Sequence, residues 1–191
     1  LHDVLPIFSK EMLHYMQTTL PTPEIMQDVT NERIAFMDKY EIDQQILSYG
    51  NSSPQNLDPK VAVKLCQDAN DELARAIKTN PTRFAGLAVL PVGDPTAAAT
   101  ELKRAVNELH LNGVLLKGNY QNKYFDDSFF FPIFEMASKL DVPVYFHPSF
   151  IDPSVTQHYF ASDNWSDVVT GILSTAGYDI RPVVTGKVVL S

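Results

Sequence analysis

The sequence predicts an α/β protein whose core is a parallel β-sheet. Amphipathic helical patterns alternate with short apolar stretches, at intervals of about 30–45 residues along most of the chain. The apolar stretches are near-continuous hydrophobic runs, which is typical of parallel strands covered on both faces. Two of the helical patterns also open with the same pair, Asp58-Pro59 and Asp94-Pro95, which marks a helix start.

Composition limits the class of protein. The 191 residues suit one domain over residues 1–191, either whole or as part of a larger fold. Fifteen basic and 23 acidic residues give a net charge of −8 without any Lys/Arg-rich run, so nucleic acid is not an expected partner. No apolar run approaches the ~20 residues that cross a bilayer, so no membrane association is expected. The single cysteine, Cys66, excludes an internal disulfide and favours a reducing compartment, so we expect a cytoplasmic protein.

The first predicted elements lie between residues 30 and 48. Residues 1–29 contain three prolines and are interpreted as an excursion between regular elements. Residues 30–40 are predicted to form a helix that Thr30 could cap. Residues 42–48 are predicted to form a strand that runs into Gly50.

A long helix is predicted after Asp58, with Pro59 at its first position. Apolar residues at every fourth position predict its inner stripe: Val61, Leu65, Ala69, Leu73 and Ile77. Cys66 falls in this helix, where a small buried side chain is expected rather than a nucleophile. Asn80-Pro81 stops the helix, and residues 84–90 form the next predicted strand.

Another helix is predicted from Asp94 to Asn112-Gly113, which would end it. His110 would lie in the last turn, where a cation suits the helix dipole. Residues 113–117 form a predicted strand. A further helix is then capped by Asp127 or Ser128 and runs to about residue 140.

The apolar run at residues 142–148 predicts the central strand. Pro143 can only begin the strand and Pro148 ends it, which leaves His147 at the carboxyl end of a buried parallel strand. Ligands and chemistry gather at that end in α/β folds. A neutral imidazole there is a ready metal ligand or general base, and the alternative is a histidine hydrogen-bonded to a loop carbonyl.

The rest of the chain is predicted to hold a polar loop at 149–164, a helix at about 165–175 and a strand at 187–191. No Gly-x-Gly-x-x-Gly or Gly-x-x-x-x-Gly-Lys-Ser pattern follows any predicted strand. A dinucleotide or nucleoside triphosphate site is therefore poorly supported.

Several stretches resemble the amidohydrolase-related decarboxylases and hydrolases in order and spacing. They are Asn31-Glu32-Arg33-Ile34-Ala35-Phe36-Met37-Asp38, Ile42-Asp43-Gln44-Gln45-Ile46-Leu47-Ser48, Asn70-Asp71-Glu72-Leu73-Ala74, Asn80-Pro81-Thr82-Arg83-Phe84-Ala85-Gly86-Leu87-Ala88, Tyr124-Phe125-Asp126-Asp127 with Pro132, and Asp141-Val142-Pro143-Val144-Tyr145-Phe146-His147-Pro148. The resemblance covers roughly residues 30–148, and it is carried by the succession of stretches rather than by any one of them.

The resemblance implies a (β/α)₈ barrel with one divalent metal, zinc first and manganese second, at the carboxyl ends of its strands. About five of the eight strands would be present here. It implies that His147 is the metal ligand from strand 5. Lys117, Asn119 and Phe150 are the candidate contacts for a small carboxylic acid substrate, although the family often has Asn-Gly where this chain has Lys117-Gly118. The family's catalytic His and Asp would lie beyond Ser191. The implied activity is decarboxylation of a small aromatic or unsaturated acid, in a homo-oligomer.

Several alternatives stay open on the sequence. The Lys117 cation could meet a substrate carboxylate or be solvated. His2 and His158 are weaker candidates for the site. The chemistry could be hydrolysis in the same superfamily, or the chain could be non-catalytic. An open doubly wound sheet would also accommodate 191 residues.

Overall fold

The computed structural model describes residues 28–49, 53–121 and 123–147. Within them, the helices are α1 (Asn31–Lys39), α2 (Pro59–Thr79), α3 (Pro95–Asn107) and α4 (Phe131–Leu140). The strands are β1 (Gln45–Leu47), β2 (Phe84–Gly86), β3 (Val114–Lys117), β4 (Asn119–Tyr120), β5 (Lys123–Tyr124) and β6 (Val144–His147). Short 3₁₀ turns span Pro54–Asn56 and Ser128–Phe130. The predicted helix at 165–175, the predicted strand at 187–191 and residues His2, Phe150 and His158 lie outside the described residues.

The predicted strands near 42–48, 84–90, 113–117 and 142–147 lie side by side in sequence order. β1 pairs with β2 and β3 pairs with β6, both in parallel. A parallel bridge between Ala88 and Val114 joins the two pairs, with the Leu115 amide donating to the Ala88 carbonyl at 3.0 Å. This part of the predicted topology is confirmed. The antiparallel hairpin of β4 and β5 was not predicted.

The helices all pack on one face of the parallel strands. One hydrophobic cluster contains Met37 of α1, Leu73 of α2, Leu102 of α3 and Ile133 of α4, together with strand residues such as Leu116. A doubly wound sheet would place helices on both faces. Helices on one face of consecutive parallel strands are the arrangement of a (β/α) barrel wall, so the barrel reading holds over the described residues.

Proline and acidic caps start α2 and α3 as predicted, but α1 and α4 differ. Asp58 accepts a hydrogen bond from the Lys60 amide at 3.0 Å, and Asp94 accepts one from the Ala97 amide at 3.0 Å. At α1, however, the Thr30 side chain makes no cap. The carboxylate of Asp28 instead accepts from the Thr30 hydroxyl at 2.6 Å and from the amides of Thr30 and Glu32 at 2.7 and 2.6 Å, and these bonds lower the pKa of Asp28 to about 2. α4 begins at Phe131 without a side-chain cap, because Asp127 caps the 3₁₀ turn before it by accepting from the Phe129 amide at 2.8 Å.

The buried face of α2 differs from the predicted stripe. Val61 and Leu65 are 52% and 41% exposed, and the buried positions are Ala62, Cys66, Ala69, Asn70 and Leu73. The four-residue repeat drifts around a helix of 3.6 residues per turn, so its first members rotate away from the core. Cys66 is fully buried, as expected, and burial raises the pKa of its thiol to about 12.

The end of α3 also differs from the prediction. The helix stops at Asn107 rather than at Asn112, and His110 lies beyond it with a φ of 59°. His110 is therefore not in the last turn of the helix. Asn112 instead extends the sheet, because its amide donates to the Gly86 carbonyl at 2.8 Å and its side-chain oxygen accepts from the Gly86 amide at 3.1 Å.

Candidate active site at the carboxyl ends of the strands

One face of the parallel strands is turned away from the helices. Val144 and Phe146 of β6 pack against the helix-side core, so Tyr145 and His147 point to the opposite face. In register, Tyr145 is paired with Leu115, and His147 is paired with Lys117. His147 and Lys117 therefore end neighbouring strands with their side chains on the same face, which is the interior of a barrel.

His147 occupies the predicted place at the end of β6. Its carbonyl accepts a hydrogen bond from the Gly118 amide at 3.1 Å, which continues the β3–β6 ladder past the strand end. Its side chain is exposed, and Tyr145 is 55% exposed, so the strand is not covered on both faces within this structure. α4 covers the helix side, whereas the other side faces the barrel interior.

Lys117 is buried, so the alternative prediction of a solvated lysine is wrong. It is 7% exposed. Burial lowers the pKa of its ammonium group to about 8, because the charged form loses solvation. A pKa of about 8 still leaves most of the lysine protonated at neutral pH. Lys117 thus presents a desolvated cation beside His147, which suits an anionic group.

Asn119 begins the hairpin that follows β3 at the same end of the strands. Its carbonyl accepts a hydrogen bond from the Asn56 side chain at 3.2 Å. The hairpin also places the Tyr120 ring against Gly93 in the loop after β2. A Cβ atom at Gly93 would clash with this ring and would lie 3.0 Å from Pro59 at the start of α2. The loops after β1, β2 and β3 are therefore packed together around the candidate site.

Sequence reasoning missed Gln55, whose side chain is 2% exposed. Its amide bonds to both the N–H and the C=O of Lys117, at 2.9 Å each. Gln55 lies in a loop that the sequence marks only by Ser53 and Pro54, and no periodic pattern points to a buried glutamine there.

The described residues supply one candidate metal ligand at this end of the strands. They contain no group of three or more His, Cys, Asp and Glu side chains that could hold a metal ion. Zinc and similar ions in proteins take three or four ligands, so His147 fits as one member of a set and does not make a site by itself.

Two other polar features of the described structure lie away from this end. The buried carboxylate of Glu101 accepts from Asn70 and Arg104 on the helix side of the sheet. A groove of about 620 Å³ lies at the amino end of β1 and is lined in part by Asp43 and Arg83. Arg83 is held there by the Asp38 carboxylate at 2.8 Å and by backbone carbonyls. Both features are structural.

None of the helices described is both long enough and apolar enough to cross a membrane.

Residues 23–170 match the amidohydrolase family. This match spans more than half of the chain and includes every element of the barrel wall described above. The chain belongs to the amidohydrolase family. Its parallel strands form part of the family's barrel, and the predicted resemblance and fold class are confirmed.

The amidohydrolase chain is similar to two curated proteins of different activity. It is 37% identical over 139 residues to a γ-resorcylate decarboxylase from Polaromonas, covering 69% of this chain and 43% of that protein. It is 33% identical over 148 residues to a 2-keto-4-carboxy-3-hexenedioate hydratase from Sphingobium, covering 70% of this chain and 43% of that protein. The chain thus spans less than half the length of these relatives.

A solved structure shows the same similarity. The dihydroxybenzoic acid decarboxylase of Polaromonas, determined with bound manganese and the inhibitor 2-nitroresorcinol, aligns with a TM-score of 0.70 and 33% identity. The alignment covers 83% of this amidohydrolase chain and 48% of the Polaromonas chain.

Proposed function

We propose that the protein containing this chain is a metal-dependent decarboxylase of a small aromatic carboxylic acid. The observation that carries the proposal is the pair formed by Lys117 and His147, which end adjacent parallel strands on the inner face. A desolvated ammonium group suits a carboxylate, and an imidazole suits a divalent metal. The similarity to the γ-resorcylate and dihydroxybenzoic acid decarboxylases supports the choice of chemistry.

His147 is proposed as one metal ligand, with the remaining ligands outside the described residues. A bound divalent ion acts as a Lewis acid toward substrate oxygens. Zinc is expected from the family resemblance, and manganese is the metal of the Polaromonas structure. Elemental analysis of purified protein distinguishes the two.

Lys117 is proposed to bind the carboxylate of the substrate and to hold that group beside the His147 imidazole. Asn119 and Phe150 are proposed as further substrate contacts at this end of the strands. In the reaction, the bond between the ring carbon and the carboxylate breaks, CO₂ leaves, and a proton takes its place on the carbon. The family resemblance assigns the proton donor to a His or Asp outside the described residues.

The proposal is tested with the complete protein and His147→Ala. We expect this variant to lose bound metal and CO₂ release from hydroxybenzoates together, while circular dichroism shows an unchanged fold. His110→Ala is the matched control, because His110 lies after α3 near the amino end of β3, away from the candidate site. A His147→Ala variant with full metal and full activity would show that His147 is an ordinary hydrogen-bonded histidine.

Hydration of an unsaturated polycarboxylic acid is the second candidate, favoured by the similarity to the Sphingobium hydratase. The same pair of residues could bind such an acid, so the site does not separate the two reactions. Purified protein is assayed for both, with CO₂ release and loss of the substrate double bond as readouts. Activity in the hydration assay alone would assign the protein as a hydratase instead of a decarboxylase.

The proposal also includes a cytoplasmic location and a homo-oligomer. The first follows from the single reduced thiol, and the second from the family resemblance. Cell fractionation and light scattering of the purified protein check them.

A further inference from the structure

The backbone of Lys117 has an unusual partner on its β2 side. β3 donates its Leu115 amide to Ala88 on that side, and the next amide facing the same way is that of Lys117. The chain after Ala88 no longer follows β3, because the carbonyl of Leu90, the next residue on that side, accepts from the Val92 amide at 3.0 Å. The end of β3 would therefore have an unpaired edge at the residue that carries the candidate cation.

Gln55 fills this position. Its side-chain oxygen accepts from the Lys117 amide at 2.9 Å, and its side-chain nitrogen donates to the Lys117 carbonyl at 2.9 Å. The second N–H of the same nitrogen donates to the Asn56 side-chain oxygen at 2.8 Å. Both polar atoms of the buried amide are hydrogen-bonded, and the amide takes the place of a neighbouring strand along one residue.

The turn that carries Gln55 is itself held in place. The Ser53 hydroxyl accepts from the backbone amide of Gln55 at 3.3 Å, and Pro54 restricts the backbone at the first position of the 3₁₀ turn. Asn56 reaches the Asn119 carbonyl at 3.2 Å. The turn is therefore hydrogen-bonded to the chain on both sides of Gly118, at Lys117 and Asn119, the two residues proposed to bind substrate.

We propose that Gln55 is a positioning residue for the Lys117 cation. By holding both polar groups of the Lys117 backbone, Gln55 sets the direction in which the Lys117 side chain leaves β3. This inference rests on the proposed function, since it assigns Lys117 to the substrate's carboxylate. Gln55 itself is not proposed to touch the substrate.

The experiment uses the complete protein with Gln55→Met, which keeps the length of the side chain and removes its hydrogen bonds. The first readout is independent of activity: the rate at which acetic anhydride modifies Lys117, followed by peptide mass spectrometry. We expect the rate to rise on the order of tenfold, the equivalent of ~1.4 kcal/mol, as Lys117 leaves its buried position. Gln44→Met, an exposed glutamine next to β1, is the control and should leave the rate unchanged.

The second readout is a double-mutant cycle on KM with Lys117→Met. Gln55→Met should raise KM for the carboxylic acid on the order of tenfold with a smaller change in kcat, and it should add nothing in the Lys117→Met background. If Gln55→Met fails to fold by circular dichroism, Gln55→Glu takes its place. Glu keeps the acceptor for the Lys117 amide and loses the donor to the Lys117 carbonyl. The modification rate and KM are both expected to rise, as for Gln55→Met.

Each outcome decides the inference. An unchanged modification rate overturns it, whether or not the protein is a decarboxylase. A faster modification with the same rise in KM in both backgrounds also overturns it, because Gln55 would then support the fold in general. A protein without decarboxylase activity contradicts the proposed function, and the modification rate then decides the link between Gln55 and Lys117 by itself.

Discussion

The Lys117 ammonium group lies where burial opposes its charge. Its pKa falls to about 8 from burial, compared with ~10.4 for a solvated lysine. Between these two values the unfolded chain binds more protons than the folded chain, so stability rises with pH across that window. Below pH 8 the cost of burying the charge is present in full. A residue kept under that cost at a strand end is a candidate for function.

Lys117→Met is therefore expected to stabilise the metal-free protein at pH 7 by about 1–3 kcal/mol, because it removes a buried charge. The gain over the native protein should shrink as the pH rises from 8 to about 10.4. Urea unfolding at several pH values measures both effects. Lys103→Met on the exposed side of α3 is the control and should change stability by less than ~0.5 kcal/mol at every pH. A pH-independent difference for Lys117→Met would contradict the lowered pKa.

At the scale of elements, a polar cluster joins α2 and α3 to the chain after β2. Asn70 is fully buried, and its side chain bonds to both the amide and the carbonyl of Val89, at 2.9 and 3.0 Å. The same side chain donates to the Glu101 carboxylate at 2.7 Å. Arg104 pairs with Glu101 and Asp71, and the bond to Glu101 raises the pKa of Arg104 further. This cluster fixes both helices against the barrel wall.

Asn70→Leu should lower the free energy of unfolding by about 2–4 kcal/mol. The variant leaves the polar groups of Val89 buried without these partners and removes a donor from Glu101. Asn107→Leu, at the exposed end of α3, is the matched control and should have little effect. Denaturant unfolding compares the two, and equal changes would mean that the cluster does not hold the helices.

At the scale of the whole molecule, the inner face of the described wall carries exposed apolar side chains. Ile46 of β1 is 63% exposed and Tyr145 of β6 is 55% exposed. Both point away from the helices, toward the space that a closed barrel fills with side chains. In a protein with a complete barrel, these residues are expected to be buried.

Ile46→Asp should therefore destabilise the complete protein by ~3 kcal/mol or more, since it places a carboxylate in the barrel interior. Val61→Asp is the comparison, because Val61 is 52% exposed but lies on the outer helix α2. That variant should cost less than ~1 kcal/mol. Thermal unfolding distinguishes them, and similar losses for both variants would place Ile46 on the outer surface.

Local sequence patterns were sufficient to predict the class of fold and the place of the candidate site. Apolar runs and Asp-Pro helix starts follow from local chemistry, so four strands, their order and the starts of α2 and α3 could be predicted directly. His147 was found because Pro148 and the run before it mark a strand end. The succession of family stretches then separated the barrel from the open sheet.

The roles of the remaining residues depend on tertiary packing. Val61 and Cys66 share one helical pattern, and packing against the strands chose which of them is buried. The end of α3 at Asn107 and the cap by Asp28 depend on competing local hydrogen bonds. Gln55 and Lys117 are 62 residues apart, and their contact exists because the chain after Ala88 turns away from β3. Such contacts depend on where distant segments meet in space, which no local pattern records.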